Sequence, residues 1–490
     1  MNLVYNDALL CDFYEFTMGN GYFQQGKKDT ISCFDLYFRK VPDQGGFAIA
    51  AGLQSVIDYI RDLHFDSKDI EYLRSKKLFA EEFLDYLANF KFECDVRAVP
   101  EGTPIFPNEP IVTVKGPAIQ AQLLETMLLI AINHQSLIAT KAHRIVKAAK
   151  GRPVFEFGSR RAQGNNAAIL GARAAYIAGC AGTACAVCEQ LYDIPAVGTM
   201  AHSWIQMFDS EYESFKAYAK LYPNACTLLV DTYSVLKSGI PNAIRVHKEI
   251  LEPMGCKLSG VRIDSGDVAY LSKKARKLLD EAGLTDCKIF ISNSLDEYII
   301  RDILSQGAQI DCFGVGERLI TSKSEPVFGG VYKVVAVEEE GEMIPKIKCS
   351  ENVEKITNPC EKEIWRLYSN TTGQMLADLI AVRGEEFDFT KPIELFHPDF
   401  PWKRKTFEDY TAKKLLVPIF EKGELVYDTP CTKEIRTYCA EQTGLLWDEV
   451  VRFENPENYY VDLSQKLWDT KRELLMKANV KNKETNPHDR

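Results

Sequence analysis

From Pro153 onward the chain repeats one arrangement: a short apolar run, a polar or glycine-containing end, then a helical stretch. The runs are Val154-Phe155-Glu156-Phe157, Ala196-Val197, Leu228-Leu229-Val230, Val261-Arg262-Ile263, Ile289-Phe290-Ile291 and Cys312-Phe313. Most are separated by about the length of a βα unit. They end in Gly158-Ser159-Arg160-Arg161, Thr199 to His202, Asp231-Thr232, Asp264-Ser265-Gly266-Asp267, Ser292-Asn293-Ser294 and Gly314-Val315-Gly316. Polar groups collected after the carboxyl ends of successive parallel strands mark a βα barrel or a doubly wound sheet. Here every strand contributes a polar end, not just one switch point. The expected fold is therefore α/β: an irregular βα (TIM-like) barrel over 151–330.

The flanks lack this rhythm. Residues 1–150 read as an N-terminal α+β lobe. It would hold a helix capped near Asp7 or Asp12, a strand over 31–41, charged helices over 52–93, short antiparallel strands over 95–117 and a long apolar-periodic helical stretch over 118–150. Residues 331–490 read as a smaller C-terminal region closing that lobe, with a helix near 459–476 and a polar, disordered tail from Asn479. The net charge of −10 gives no global basic field for nucleic acid or an anionic membrane. No uninterrupted apolar run is long enough to span a bilayer, and no basic start precedes an apolar run, so a cytoplasmic protein is expected. The 14 cysteines then read as reduced thiols, mostly small core residues. Cys180, Cys185 and Cys188 have a C-x4-C-x2-C spacing, but they sit in a small-residue segment with no fourth ligand in view, and no metal site is expected there.

The strand ends supply the candidate chemistry. His202 is one of seven histidines and lies between hydroxyl residues in Gly198-Thr199-Met200-Ala201-His202-Ser203; a core histidine satisfied by backbone is the plain alternative. Phe157, Arg160 and Arg161 place an aromatic ring and two guanidinium groups at one end, suited to a carboxylate or phosphate. Arg262 and Asp264 alternate with apolar residues and so share a strand face, either as a site or as a structural ion pair. Asp231 and Asp267 suit substrate contact or helix capping equally. Gly314 and Gly316 permit close backbone approach to a phosphate, with Thr321 and Ser322 as hydroxyl donors. Neither a G-x-x-x-x-G-K-[ST] loop nor a G-x-S-x-G elbow occurs, which excludes the common nucleotidase and hydrolase readings.

In order and number, these segments resemble the nicotinate phosphoribosyltransferase family. The resemblance runs through Asp12-Phe13-Tyr14-Glu15-Phe16-Thr17-Met18, residues 155–164, Gly198 to Ser203, Asp231-Thr232-Tyr233, residues 260–267, residues 313–321, Gly329-Gly330-Val331-Tyr332-Lys333 and residues 350–359. It implies transfer of phosphoribose from 5-phosphoribosyl 1-diphosphate to nicotinate, giving nicotinate mononucleotide and diphosphate for NAD salvage. It also implies coupling to ATP hydrolysis through a phosphorylated His202, and a homodimer with shared sites. By the same resemblance Thr199 and Arg262 contact nicotinate. Tyr14 stacks on its ring from a second subunit, with Phe157 on the other face, and Arg160 lies nearby; Asp231, by its strand-end position alone, suits orienting a substrate hydroxyl. Arg39, Ser292, Asn293, Gly314, Gly316 and Thr321 hold phosphoribosyl diphosphate.

The physical logic agrees with this assignment. Departure of diphosphate leaves oxocarbenium-like charge that Asp264 or Asp267 can stabilise. Magnesium would travel on the diphosphate oxygens and need few protein ligands. Two rivals are weighed. A nicotinamide-using sister family has an aspartate where Met200 follows Gly198-Thr199; methionine does not repel a carboxylate, which favours the acid. A barrel aldolase or isomerase would want a Schiff-base lysine or a metal-ligand cluster at a strand end, and neither is found.

Overall fold

The computed structural model describes residues 7–350, 352 and 355–485. They fall into two compact units, one of Met1–Leu137, Val327–Pro430 and Tyr438–Arg490, the other of Ile138–Pro326 and Cys431–Thr437.

The second unit is built on a six-stranded sheet. Its strands lie in the order Gly182–Thr183, Val154–Glu156, Cys312–Val315, Lys288–Ile291, Gly260–Ile263 and Thr227–Leu229. Every neighbouring pair is parallel. Val154, Leu228, Leu229, Val261, Ile263, Ile289, Ile291, Phe313 and Val315 are all buried, as expected of strands covered on both faces. Helices Asn165–Ile177, Val268–Glu281 and Glu297–Ser305 form crossovers between the strands.

The parallel α/β expectation is met, but the sheet is open. Among the described residues no pairing joins the Gly182–Thr183 edge to the Thr227–Leu229 edge, and no closed barrel forms. Ala196-Val197, expected as a full strand, contributes a single parallel bridge from Ala196 to Thr183. Pro195 has no N–H to extend the ladder, and only its carbonyl and the Val197 N–H pair with Thr183. The strand actually present, Gly182–Thr183, is too short and too small-sided to announce itself by hydropathy. Gly182 is required there, because a Cβ would lie 2.5 Å from the Pro195 carbonyl oxygen.

In the first unit Ile31–Tyr37 is an interior strand of a seven-stranded sheet, between Val331–Glu339 and Val112–Pro117, both antiparallel to it. Segments from either side of the inserted second unit thus pair directly. A four-stranded sheet carries Tyr410–Lys414, Lys362–Ser369, Met375–Val382 and Val461–Leu463. The first long helix is Phe13–Gln24 with Asp12 at its N-cap position, although the Asp12 side chain makes no capping bond. The stretch 118–150 divides into Ala118–Gln122 and Glu125–Ala148. Ala118–Ala148 is long and apolar enough to cross a membrane by composition, yet 67% of its apolar window is buried inside the protein, as in a core helix. The C-terminal helix runs Gln465–Thr485, later than expected and into the polar tail; residues 486–490 of that tail lie outside the described residues. So do 351, 353 and 354 of the motif at 350–359.

Candidate active site at the strand ends

His202 opens the short helix His202–Gln206, beyond the Ala196 bridge. Its Nε2 lies 3.1 Å from Asp231 Oδ1. The Asp231 side chain is only 1% exposed, against 40% for His202, so the carboxylate is a fixed base under a partly accessible ring. The other oxygen, Asp231 Oδ2, accepts from the Asp264 backbone N–H at 3.0 Å and from Ser265 Oγ at 2.6 Å. Asp231 therefore ties the end of one strand to the end of the next while holding the histidine.

Arg262 Nη1 donates to Thr199 Oγ1 at 2.9 Å. Among the described residues no ion pair links Arg262 to Asp264, so the structural bridge weighed from the sequence is not made. Instead Asp264 Oδ1 accepts from Ser292 Oγ at 2.6 Å. Burial lowers the pKa of the Arg262 guanidinium; Asp264 and Asp231 pull it back up, and Arg160 pushes it down again. Arg262 Nε is buried without a partner, as are Ser159 Oγ, Thr232 Oγ1 and Arg318 Nε. Buried donors without acceptors cost free energy, and an anionic ligand accepting from them recovers it.

Phe157 follows the Val154–Glu156 strand, and its N–H donates to the Val315 carbonyl at 2.7 Å. A Cβ on Gly314 would come 2.6 Å from the Phe157 ring, and one on Gly316 2.9 Å from the Phe157 carbonyl, so both glycines are needed for this close approach. Arg160 is exposed in the turn Ser159–Arg161. Asn293 is exposed, its side-chain oxygen accepting from the Ser294 N–H at 2.6 Å. Thr321 Oγ1 donates to the Glu317 carbonyl at 2.7 Å, at the end of the short helix Glu317–Ile320. Asp267 caps Val268–Glu281 by accepting from the Tyr270 N–H at 2.9 Å. Tyr14, exposed on Phe13–Gln24, and Arg39, half-buried, belong to the first unit and take no part in these contacts. Met200, expected at the ring edge, is only 8% exposed.

Three contributors went unnoticed in the sequence. Glu156 is fully buried, with Oε2 accepting from Thr183 Oγ1 at 2.6 Å and Oε1 close to the Gly158 N–H. Burial raises its pKa, and those two donors offset part of the rise. Tyr218 Oη donates to the Thr199 carbonyl at 3.3 Å, and Ser265 holds Asp231. A glutamate interrupting the apolar run Val154-Phe155-Glu156-Phe157 was the one available signal.

The arrangement is a histidine backed by a buried carboxylate, beside a guanidinium and hydroxyls with unused donors. It can accept a group on the imidazole and bind an anion next to it. Among the described residues no group of three or more His, Cys, Asp or Glu side chains is placed to hold a metal ion.

Comparison with known proteins is consistent along the chain. Profiles described as nicotinate phosphoribosyltransferase N-terminal domain, family and C-terminal domain match residues 9–133, 153–366 and 361–471. The chain is 41% identical over 468 residues to the Bacillus subtilis nicotinate phosphoribosyltransferase, covering 96% of this chain and 95% of that protein. It is 34% identical to the Dictyostelium discoideum nicotinate phosphoribosyltransferase, covering 96% and 88%. The crystal structure of human nicotinic acid phosphoribosyltransferase superposes with a TM-score of 0.84 at 28% identity, covering 95% of this chain and all of that one (100%). With these profiles covering most of the chain and relatives of this identity matched over nearly their whole length, the chain belongs to the nicotinate phosphoribosyltransferase family.

Proposed function

We propose that this protein transfers phosphoribose from 5-phosphoribosyl 1-diphosphate to nicotinate for NAD salvage, coupled to ATP hydrolysis through phosphorylation of His202. The observation that carries the coupling is the His202–Asp231 contact at 3.1 Å. A carboxylate only accepts, so it selects the tautomer with a proton on Nε2 and leaves the Nδ1 lone pair as the nucleophile. Attack of Nδ1 on the γ-phosphorus of ATP expels ADP, and the buried Asp231 offsets the positive charge that develops on the ring. The phosphohistidine then places negative charge beside the substrates and shifts their affinities until water removes the phosphoryl group.

Arg262 meets the nicotinate carboxylate, with Thr199 holding the guanidinium in place and Phe157 offering a ring face. Tyr14 from a second copy covers the other face, and Arg39 reaches the diphosphate of that copy, which makes the working unit a homodimer. Gly314, Gly316, Asn293 and Thr321 surround the phosphoribosyl phosphates. Asp264, oriented by Ser292, faces the cationic ribose as diphosphate departs; Asp267 is the second candidate. The open parallel sheet is on this reading an irregular, incompletely closed βα barrel. The donor set does not form a protein cage for magnesium, and fits an ion carried in on diphosphate with at most one or two carboxylates added. Such an ion would supply charge neutralisation for the leaving group.

The test combines the protein with nicotinate, phosphoribosyl diphosphate and magnesium, with and without ATP, and measures nicotinate mononucleotide, diphosphate and ADP. The mononucleotide forms in both cases and faster with ATP. His202→Ala abolishes ADP formation and ATP stimulation while retaining some ATP-independent transfer; an acid-labile phosphoryl group persisting in that variant would overturn the assignment.

A further inference from the structure

The cysteine group at 180–188 remains unexplained by the proposed chemistry. Cys185 and Cys188 form a C-x-x-C turn directly after the edge strand Gly182–Thr183, in a parallel βα unit. The Cys188 backbone N–H donates to the Cys185 carbonyl at 3.0 Å. This i→i+3 bond closes the turn and brings the two α-carbons into the range a disulfide spans. The Cys188 thiol donates only a weak, long bond, to the Ile169 carbonyl at 3.7 Å, which closing a disulfide would replace. The environments of the two thiols differ. Cys185 is partly exposed, whereas Cys188 is fully buried in a small cluster with Ala172, Tyr176 and Ile194. Burial, then the neighbouring Cys185 thiol, raises the Cys188 pKa, so it rests as the protonated partner. Cys180 is also buried but lies before the strand, outside the turn.

We propose that Cys185 and Cys188 are a redox-active dithiol that closes reversibly to an intramolecular disulfide by exchange with a low-molecular-weight disulfide. The accessible Cys185 thiolate attacks one sulfur of the oxidant R–S–S–R, the oxidant's S–S bond breaks, and one RS⁻ leaves and takes a proton. Cys188 then loses its proton, attacks the Cys185 sulfur of the mixed disulfide and expels the second RS⁻. Two electrons pass from the dithiol to the oxidant, which leaves as two thiols. The turn already has the required closure, so the backbone needs little rearrangement. The Cys185 N–H donates to Thr183 Oγ1 at 3.0 Å, and Thr183 also carries the bridge to Ala196 that leads to Thr199 and His202.

The experiment uses the full chain with the exposed Cys349 and Cys431 replaced by serine, reduced and then equilibrated with oxidised glutathione, alkylated and mapped by peptide mass. The expected product is a peptide containing both cysteines that has lost two hydrogens, regains them with dithiothreitol, and carries no glutathione. In Cys188→Ser, glutathione stays on Cys185; in Cys185→Ser, neither modification appears. Alkylation of both thiols after oxidation, or stable glutathione on Cys185 with Cys188 still alkylating in the parent protein, would overturn the proposal. The parent measurement decides the matter even if a serine variant at the buried position fails to fold.

Discussion

His202 and Arg262 acquire their roles from partners distant in sequence. In the proposed reaction the histidine is a directed nucleophile because Asp231 holds its Nε2 side, and the arginine is an anion receptor because Thr199 takes Nη1 and leaves Nε unpaired. Arg262→Ala should raise the KM for nicotinate far more than that for ATP, with a loss of about 2–5 kcal/mol if a buried charge pair is broken. Steady-state kinetics check this, and equal weakening of all substrates would mean a collapsed site. Met200 is buried, so an aspartate there would be a buried carboxylate that costs stability as well as bearing on substrate choice. Glu15, beside Tyr14, carries a pH dependence. Burial is the main cause of its rise from 4.5 to about 7, Thr126 opposes it by hydrogen bonding, and Glu125 adds to it. A carboxyl raised on folding stabilises most below its unfolded value, and that contribution is lost as pH climbs through the folded value. Asp462, raised by burial to about 6, acts in the same direction. Denaturant titrations should show stability falling from pH 4.5 towards 7, and Glu15→Gln should flatten that fall by about 2 kcal/mol after solvent screening.

At the scale of elements, the site depends on how strands end and helices begin. Glycines at 314 and 316 let two strand ends close on Phe157, and Asp267 starts the helix behind Asp264. Asp267 thus has a structural role that accounts for its position without catalysis. Asp267→Ala should cost about 1 kcal/mol of stability, the usual worth of a lost N-cap. If the cap is its whole role, kcat for transfer at saturating substrates should stay within about twofold once unfolded protein is discounted; a loss on the order of 10²-fold would make it a second carboxylate facing the ribose.

At the scale of the whole molecule, the first unit is held together across long sequence distances. Arg366 and Asp378, both fully buried, form a bidentate pair, and Tyr459 Oη donates to Asp378 at 3.0 Å. Phe106 and Tyr459 stack at 3.9 Å, with Arg366 within 6 Å of both rings. Glu109 is buried beside Asp378; burial first, and that carboxylate second, raise its pKa. Arg366→Met should cost about 3–5 kcal/mol, because it leaves Asp378 buried without a counter-charge. Glu109→Gln, which removes a carboxyl whose charged form burial and Asp378 both disfavour, should cost far less. Midpoints of chemical denaturation for the two variants give the comparison.

Much of this protein could be read from local pattern. The apolar runs of the parallel sheet, the helices between them and the polar residues closing each strand were legible, because burial on both faces forces continuous apolar strands and parallel pairing forces crossovers. Arg262, Asp264, Ser292 and Gly314, in or just after strands of this sheet, were legible as polar or glycine breaks for the same reason: they interrupt a hydrophobic run where a buried core has no use for them. Pairing was not legible. Whether Ala196-Val197 or Gly182–Thr183 entered the sheet turned on one proline N–H and one missing Cβ. Whether the sheet closed turned on edges whose residues carry no local signal. That Asp231 would serve His202, that Glu156 would lie buried beneath Thr183, and that Val331–Glu339 would pair with Ile31–Tyr37 depended on contacts between distant residues. Hydrophobic period is a property of neighbours along the chain, whereas a hydrogen-bond partner, a desolvated carboxyl and a strand neighbour are properties of the packed chain, fixed only when remote segments compete for the same buried space.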